Sequence, residues 1–177
     1  MSLHFRPAAA ADIPLLRDLA ARIWRACYVE MIGLAQIEYM LGWMYSAEKL
    51  AAELRSGVLW EIAEIDSAPV GFLALTFHTA ELAELAELAE LAERAELNKL
   101  YLLPEHHGRG CGQQMLAHAI ATSRARGATE LRLRVNKANT RAVRAYDRAG
   151  FRIVDSLVAD IGGGFVMDDY VLARALP

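Results

Sequence analysis

Two stretches of the sequence carry residue types whose spacing suits chemistry. In the first, an apolar run Leu97–Leu103 leads to His107-Gly108-Arg109-Gly110-Cys111-Gly112 and then to a helical pattern. Glycines at alternate positions let the backbone approach a ligand with no Cβ in the way. N–H groups at the start of the following helix, helped by its dipole, form an anion site, and a pyrophosphate is the expected guest. A Walker loop is excluded because GK followed by Ser or Thr is absent. The dinucleotide fingerprint GxGxxG also fails, since the spacing is GxGxG. Alone, the motif equally fits a tight turn. In the second stretch, an apolar alternation over Glu130–Val135 leads to Asn139-x-x-Ala142-x-x-x-Tyr146-x-x-x-Gly150-Phe151. Asn139 and Tyr146 lie two helical turns apart and share a face. Asn139 reads as a helix cap, a ligand contact, or both. Tyr146 reads as a core tyrosine or as a proton donor.

These residues need a scaffold, and the pattern supplies one. Leu3–Arg6 is a short strand closed by Pro7. Asp12 is the expected N-cap of a helix with Pro14 in its first turn and Ile13, Leu16, Leu19, Ile23, Trp24 and Cys27 at helical spacing. Leu34–Tyr45 is a second helix, and Ser46 caps a third that runs to Arg55 and stops at Ser56-Gly57. Strands follow at Val58–Glu64 and Val70–Phe77 around a turn at Asp66–Pro69. After the strand Leu97–Leu103, the segment Gly110–Arg126 is helical, with Met115, Leu116, Ala119 and Ile120 on its apolar side and Gly127 at its end. Glu130–Val135 is a strand, Asn139–Ala149 a helix, and Phe151–Val158 and Phe165–Ala173 are strands joined through Gly162-Gly163-Gly164. Alternating strands and helices in the second half imply a central mixed α/β sheet. With no linker in view, 1–177 is read as one domain.

One segment breaks the pattern. From Ala80 to Leu97 the chain repeats Ala-Glu-Leu, with Glu at every third position from 81 to 96. Its residue types favour helix. A period of three lags the helical turn by ~60° per repeat, so the leucines spiral round the axis and leave no face to bury. The region 79–96 is therefore expected to be an acidic, low-complexity insertion in a strand connection.

Composition narrows the function classes. Of the 177 residues 55% are hydrophobic, which a folded core requires, and the net charge of −3 offers no basic excess for nucleic acid. Cys27 and Cys111 lack CxxC or Cys/His spacing, which argues against a disulfide framework or a zinc site. Cys111 is expected to be a small packing residue. No charged n-region with an apolar stretch opens the chain, and no apolar run approaches the ~20 residues that cross a bilayer. A cytoplasmic location away from membranes is the expectation.

Taken together, strand–(Q/R)xxGxG–helix followed by strand–NxxAxxxYxxxGF resembles the GNAT superfamily of N-acetyltransferases. The resemblance spans Leu3–Leu172, and its specific part is Leu97–Phe151. His107 departs from the usual Gln or Arg, and the acidic repeat is foreign to the pattern. The resemblance implies a central, mostly antiparallel mixed sheet with a splayed parallel pair of fourth and fifth strands, flanked by helices. It also implies acetyl-CoA as cosubstrate, no metal, and acetyl transfer to a primary amine by direct attack in a ternary complex. Backbone groups of Leu102 and Leu103 would pair with the pantetheine arm. His107–Gly112 would hold the pyrophosphate, with Arg109 adding charge, and Asn139 would bond the pantetheine or nearby backbone. Tyr146 would act near the sulfur as general acid. Direct transfer needs no enzyme nucleophile, which agrees with the lack of a Cys/His or Ser/His arrangement in the sequence. Dimerisation is common in the superfamily, and the sequence leaves it open.

The acceptor and the base are less defined. Stretches around Ile23-Trp24, Ile37–Met40, Met44–Ser46 and Gly164–Tyr170 look like the bacterial polyamine acetyltransferase branch. Glu30, Glu38, Tyr39 and Asp168 would suit a polycation by charge and cation–π contact. Tyr39, Trp43 and Tyr45 read equally well as core aromatics. Glu96, Asn98, Glu30, His78 and Asp168 are open candidates for the base, and His106 is expected in a solvent-facing turn. Two other classes compete with the enzyme: a CoA-binding sensor without catalysis, and an interaction protein acting through the acidic repeat.

Overall fold

The computed structural model describes residues 2–78 and 94–177. They divide into two compact units. The first holds residues up to Ala74 together with Lys99–Met115, and the second holds Leu116–Pro177 with the described residues of Leu75–Asn98.

The first unit opens with β1 (His4–Pro7) and continues through α1 (Ile13–Cys27), α2 (Val29–Ile32), α3 (Leu34–Met44) and α4 (Ala47–Arg55). Helix α1 buries Leu16, Leu19, Ala20, Ile23 and Trp24, the i, i+3, i+4 stripe its sequence predicts. Its expected cap works differently, because the Asp12 side chain does not bond the helix. Its Oδ2 accepts from the Ala9 N–H at 2.9 Å, and the carboxylate is held by the Arg6 guanidinium, so both oxygens are engaged outside α1. Ser46 does cap α4, its Oγ accepting from the Lys49 N–H at 3.1 Å.

Strands β2 (Leu59–Ile65) and β3 (Ala68–Phe77) meet at the two-residue turn Asp66-Ser67, whose φ angles of 49° and 65° are both positive. Such a turn matches the twist of the flanking strands. Strand β4 (Arg94–Leu102) follows. The expected insertion falls on residues 79–93, which lie outside those described. Residues 94–96 at its end are strand instead of helix: Ala95 is buried, and Arg94 pairs with Glu130 at 3.2 Å. Tertiary pairing here outweighs the helix preference of the repeat. Between the bonds His78 N–H to Arg94 O and Leu103 N–H to Val70 O, β3 advances eight residues while β4 advances nine, so β4 carries one extra residue. Gly71 lies within that stretch, and a Cβ there would meet the Tyr101 carbonyl oxygen at 2.4 Å.

The first unit's core includes a set of aromatics. Trp24, Tyr45, Trp60, Phe72 and Tyr101 contact one another with ring centroids 5.5–6.5 Å apart. A second cluster joins Ala63, Ile65, Val70, Leu102, Cys111 and Met115. Cys111 is thus a core residue, in keeping with its expected packing role.

The second unit receives α5 (Cys111–Ala125) from Leu116 onward and adds β5 (Glu130–Asn136), α6 (Thr140–Arg148), β6 (Arg152–Gly162) and β7 (Phe165–Ala175). Leu131, Leu133 and Val135 are all buried, as period-two alternation predicts. The sheet order is β1-β2-β3-β4-β5-β7-β6, with β6 at an edge. β4 and β5 are parallel, from Arg94↔Glu130 to Leu97↔Leu133, where their ladder stops. Every other pairing is antiparallel. Among the described residues no helix is long and apolar enough to cross a membrane.

Candidate active site

In the first unit the site grows from the end of β4. Leu103 donates its N–H to the Val70 carbonyl at 2.8 Å, and Pro104–His106 form a 3₁₀ turn closed on the Leu103 carbonyl. His107 then turns back, its Nε2–H donating to the Leu102 carbonyl at 2.9 Å. Leu102 and Leu103 are buried side chains whose main chain this turn partly uses. His106, expected toward solvent, is half-buried, and its Nδ1 is enclosed without a hydrogen-bond partner among the described residues.

Beyond His107 the loop is open. Gly108 and Gly110 hold φ angles of 74° and 80°, where a side chain is strained. A Cβ added at Gly108, Gly110 or Gly112 would meet nothing within 4 Å, so open space adjoins the backbone at each of the three. The loop closes as a turn over 107–110, and the Gly110 carbonyl accepts from Gln114 N–H to start α5. Arg109 is exposed, and its guanidinium meets no carboxylate among the described residues. A helix start with glycines that leave open space against its backbone, beside an exposed arginine, fits a pyrophosphate.

The second unit carries the other motif. Asn139 is the N-cap of α6: its Oδ1 accepts from the Ala142 N–H at 3.1 Å, which leaves its amide NH₂ available. Tyr146 packs edge-on against Phe151 with centroids 5.8 Å apart. Its hydroxyl has no hydrogen-bond partner among the described residues, and burial pushes its pKa up to about 12. A tyrosine so placed stays protonated across the neutral range and acts as a donor.

The acidic candidates fare unequally. Glu38 is gripped by Arg25 through bonds of 2.6 and 2.9 Å, which hold its pKa below the usual range. Asp168 pairs with Lys137 at 2.5 Å. Glu30 on α2 is exposed and unpaired among the described residues. Tyr39 is half-buried on α3, Tyr45 is in the core, and Trp43 is 53% exposed. His78 faces Glu96 at 3.5 Å, and Asn98 donates to the Thr76 hydroxyl.

Two residues escaped the sequence reading. Lys99 is buried on β4, its ammonium 5.2 Å from the Trp60 ring centroid and 5.7 Å from that of Tyr45. Burial lowers its pKa, partly offset by Glu53. The alternation Ala95, Leu97, Lys99 along the strand was the available signal. Asp169 is buried with no hydrogen-bond partner for Oδ1 among the described residues, and desolvation raises its pKa. It lies opposite Asn136 on β5, one position along from the Asp168 that the sequence singled out.

A glycine loop after a strand that pairs in parallel, and a capped helix bearing a half-buried tyrosine, are the two motifs that the sequence singles out for an acyl-CoA-using transferase. The chain belongs to the acetyltransferase (GNAT) family, whose family model matches residues 18–151, and it is an acetyl-CoA-dependent N-acetyltransferase. It is 30% identical to a spermidine N(1)-acetyltransferase of Thermoplasma acidophilum, over 95% of this chain and 97% of that protein. A solved PaiA N-acetyltransferase from the same organism, in complex with coenzyme A, superimposes with TM-score 0.76 and 26% identity, covering 99% of both chains. A GCN5-related N-acetyltransferase from Rhodopseudomonas palustris shares the fold, with TM-score 0.79 at 20% identity over 99% of this chain and 97% of that one.

Proposed function

We propose that this enzyme moves the acetyl group of acetyl-CoA to a primary amine of a polyamine, by direct attack in a ternary complex. The observation that carries the cofactor half is the loop 108–112, where glycines at positive φ leave open space against the backbone at a helix start. His107–Gly112 hold the pyrophosphate through main-chain N–H groups, and Arg109 adds charge. Main-chain groups of Leu102 and Leu103, and the Asn139 amide, bind the pantetheine arm. Bound there, acetyl-CoA supplies an activated thioester.

The chain's residues then manage protons. An alkylamine with pKa ~10 needs ~4 kcal/mol to present its neutral form at pH 7, so a base or a water relay must take the proton. For a thiolate leaving group of pKa ~8.5, full proton transfer from a tyrosine at about 12 is uphill by ~5 kcal/mol. Tyr146 therefore serves first by hydrogen-bonding the sulfur as charge develops, and a full proton follows only as that bond tightens. The polyamine reading is supported by the Thermoplasma relative, by the unpaired carboxylate of Glu30, and by the half-buried Tyr39. Asp168 shares its charge with Lys137 and acts as a weaker contact. We read 1–177 as a single catalytic domain in which the acidic connection has no catalytic part.

Free thiol release from acetyl-CoA, against spermidine, spermine, diamines, amino acids and aminoglycosides, tests this directly. Turnover is expected with polyamines. Turnover confined to amino acids or aminoglycosides would overturn the acceptor, and measurable coenzyme A binding without any turnover would favour a sensor.

A further inference from the structure

Lysine is rare in this chain. Of its 19 Lys and Arg residues three are lysines, Lys49, Lys99 and Lys137. Two of them have carboxylate partners, Lys49 with Glu53 at 3.5 Å and Lys137 with Asp168 at 2.5 Å. Lys99 has none within 4 Å among the described residues, and it is 7% exposed. Its ammonium rests instead against the rings of Trp60 and Tyr45. A cation over aromatic faces recovers only part of the hydration that burial removes. Desolvation therefore favours the neutral amine; Lys49 adds to this and Glu53 opposes it. An unprotonated lysine in an apolar setting is a nucleophile.

Its place on β4 matters as much as its chemistry. Lys99, Leu102, Leu103 and the loop 107–112 all belong to the first unit. Leu102 lies three residues beyond Lys99, roughly 10 Å at the rise of a strand. With the pyrophosphate at the loop and the pantetheine arm along Leu103 and Leu102, the arm runs back up β4. Its thioester end is then carried toward Lys99. The surroundings of Lys99 are continuous with those of Tyr101, the residue before Leu102. Tyr45 and Trp60, which flank the ammonium, both contact Phe72, and Phe72 meets Tyr101 with ring centroids 5.5 Å apart. Acetylation at Lys99 would replace a buried charge with a neutral amide and so remove the cost of desolvating it.

We infer that Lys99 is a self-acetylation site, which rests on the cofactor half of the proposed function: bound acetyl-CoA donates its acetyl group to the Lys99 Nζ. The Nζ lone pair attacks the thioester carbonyl carbon, the C–S bond breaks, and the proton lost by the amine goes to the coenzyme A thiolate. The amide formed is stable, so the modification lies off the route of amine turnover. The full chain, incubated with acetyl-CoA and no acceptor and then mapped by peptide mass spectrometry, tests this. One acetyl group at Lys99 is expected, with the more exposed Lys49 and Lys137 unmodified. Lys99→Arg should abolish the incorporation, and Gly110→Glu, which should weaken cofactor binding, should slow it by roughly tenfold or more at low acetyl-CoA. An unmodified Lys99 in protein that binds coenzyme A and acetylates an amine would overturn the inference and leave the proposed function standing. So would equal labelling of all three lysines, or labelling of Lys99 that persists in Gly110→Glu, because either marks reaction from bulk solution. Protein that does not bind coenzyme A would remove the cofactor reading and the inference together.

Discussion

The glycine loop after β4 and the helix α6 carry equally specific sequence motifs, yet they put their chemistry in different parts of the residue. In the proposed site the loop would act through its main chain: two glycines sit at positive φ, and a Cβ at Gly108, Gly110 or Gly112 would meet open space. Its side chains would then matter less, and His107, in place of the usual residue, turns back onto Leu102. Helix α6 would act through side chains, and the two it offers are in opposite states. Asn139 is already engaged as a cap, while the Tyr146 hydroxyl is held in a desolvated setting with no hydrogen-bond partner among the described residues. A motif built on backbone can be broken only by adding atoms, whereas one built on side chains is broken by removing them.

The largest effect should therefore come from filling the loop. Gly110→Glu adds a side chain at φ 80° and a negative charge where an anion is expected, so coenzyme A affinity should fall at least a hundredfold by calorimetry. Gly112→Ala, at ordinary φ and with nothing within 4 Å of the new Cβ, should cost less. Unchanged affinity in Gly110→Glu would refute the loop assignment. Removing the Tyr146 hydroxyl should strike catalysis instead. Tyr146→Phe keeps the ring against Phe151, so coenzyme A affinity should hold while kcat falls by roughly 10²-fold or more. An unaltered kcat would make the residue a packing tyrosine.

A smaller effect should separate the two roles of Asn139. Asn139→Ala loses the bond to Ala142, costing about 1 kcal/mol of stability, whereas Asn139→Ser keeps a capping oxygen. If the amide also binds pantetheine, Ser should restore the melting temperature but not KM for acetyl-CoA. Recovery of both would leave only the cap.

Legibility in the sequence followed the same division. Helix α1, the Ser46 cap, β5 and the glycine loop were readable because local periodicity and turn chemistry fixed them. The N-terminal end of β4 was not. Arg94 and Ala95 look like more of the acidic repeat, and only pairing with Glu130 and Leu131 on β5 makes them strand. Arg25 and Glu38 are far apart in the chain, as are Lys137 and Asp168, so their ion pairs were invisible. Both change which acids remain for an acceptor. Lys99 shows the converse: its strand had been recognised, and alternation alone places it with the buried residues.

Asp169 offers the finest test, because its prediction has a sign. Desolvation raises its pKa and Asp168 adds to the shift, while Arg134 and Lys137 oppose it. The folded protein thus holds this proton to higher pH than the unfolded chain, whose aspartates titrate near ~3.9. Below that value both states are protonated and the buried carboxyl costs little. As pH rises toward the folded pKa the unfolded state ionises first, and stability is lost. Above it the full cost remains. Asp169→Asn, neutral and similar in shape, should therefore raise the melting temperature by a few degrees at pH 7, with the gain shrinking toward pH 4. A gain that grows in acid, or a loss at pH 7, would mean that Arg134 and Lys137 outweigh burial. A fall in kcat alongside higher stability would instead make Asp169 the missing proton acceptor, a carboxylate kept strained for the reaction.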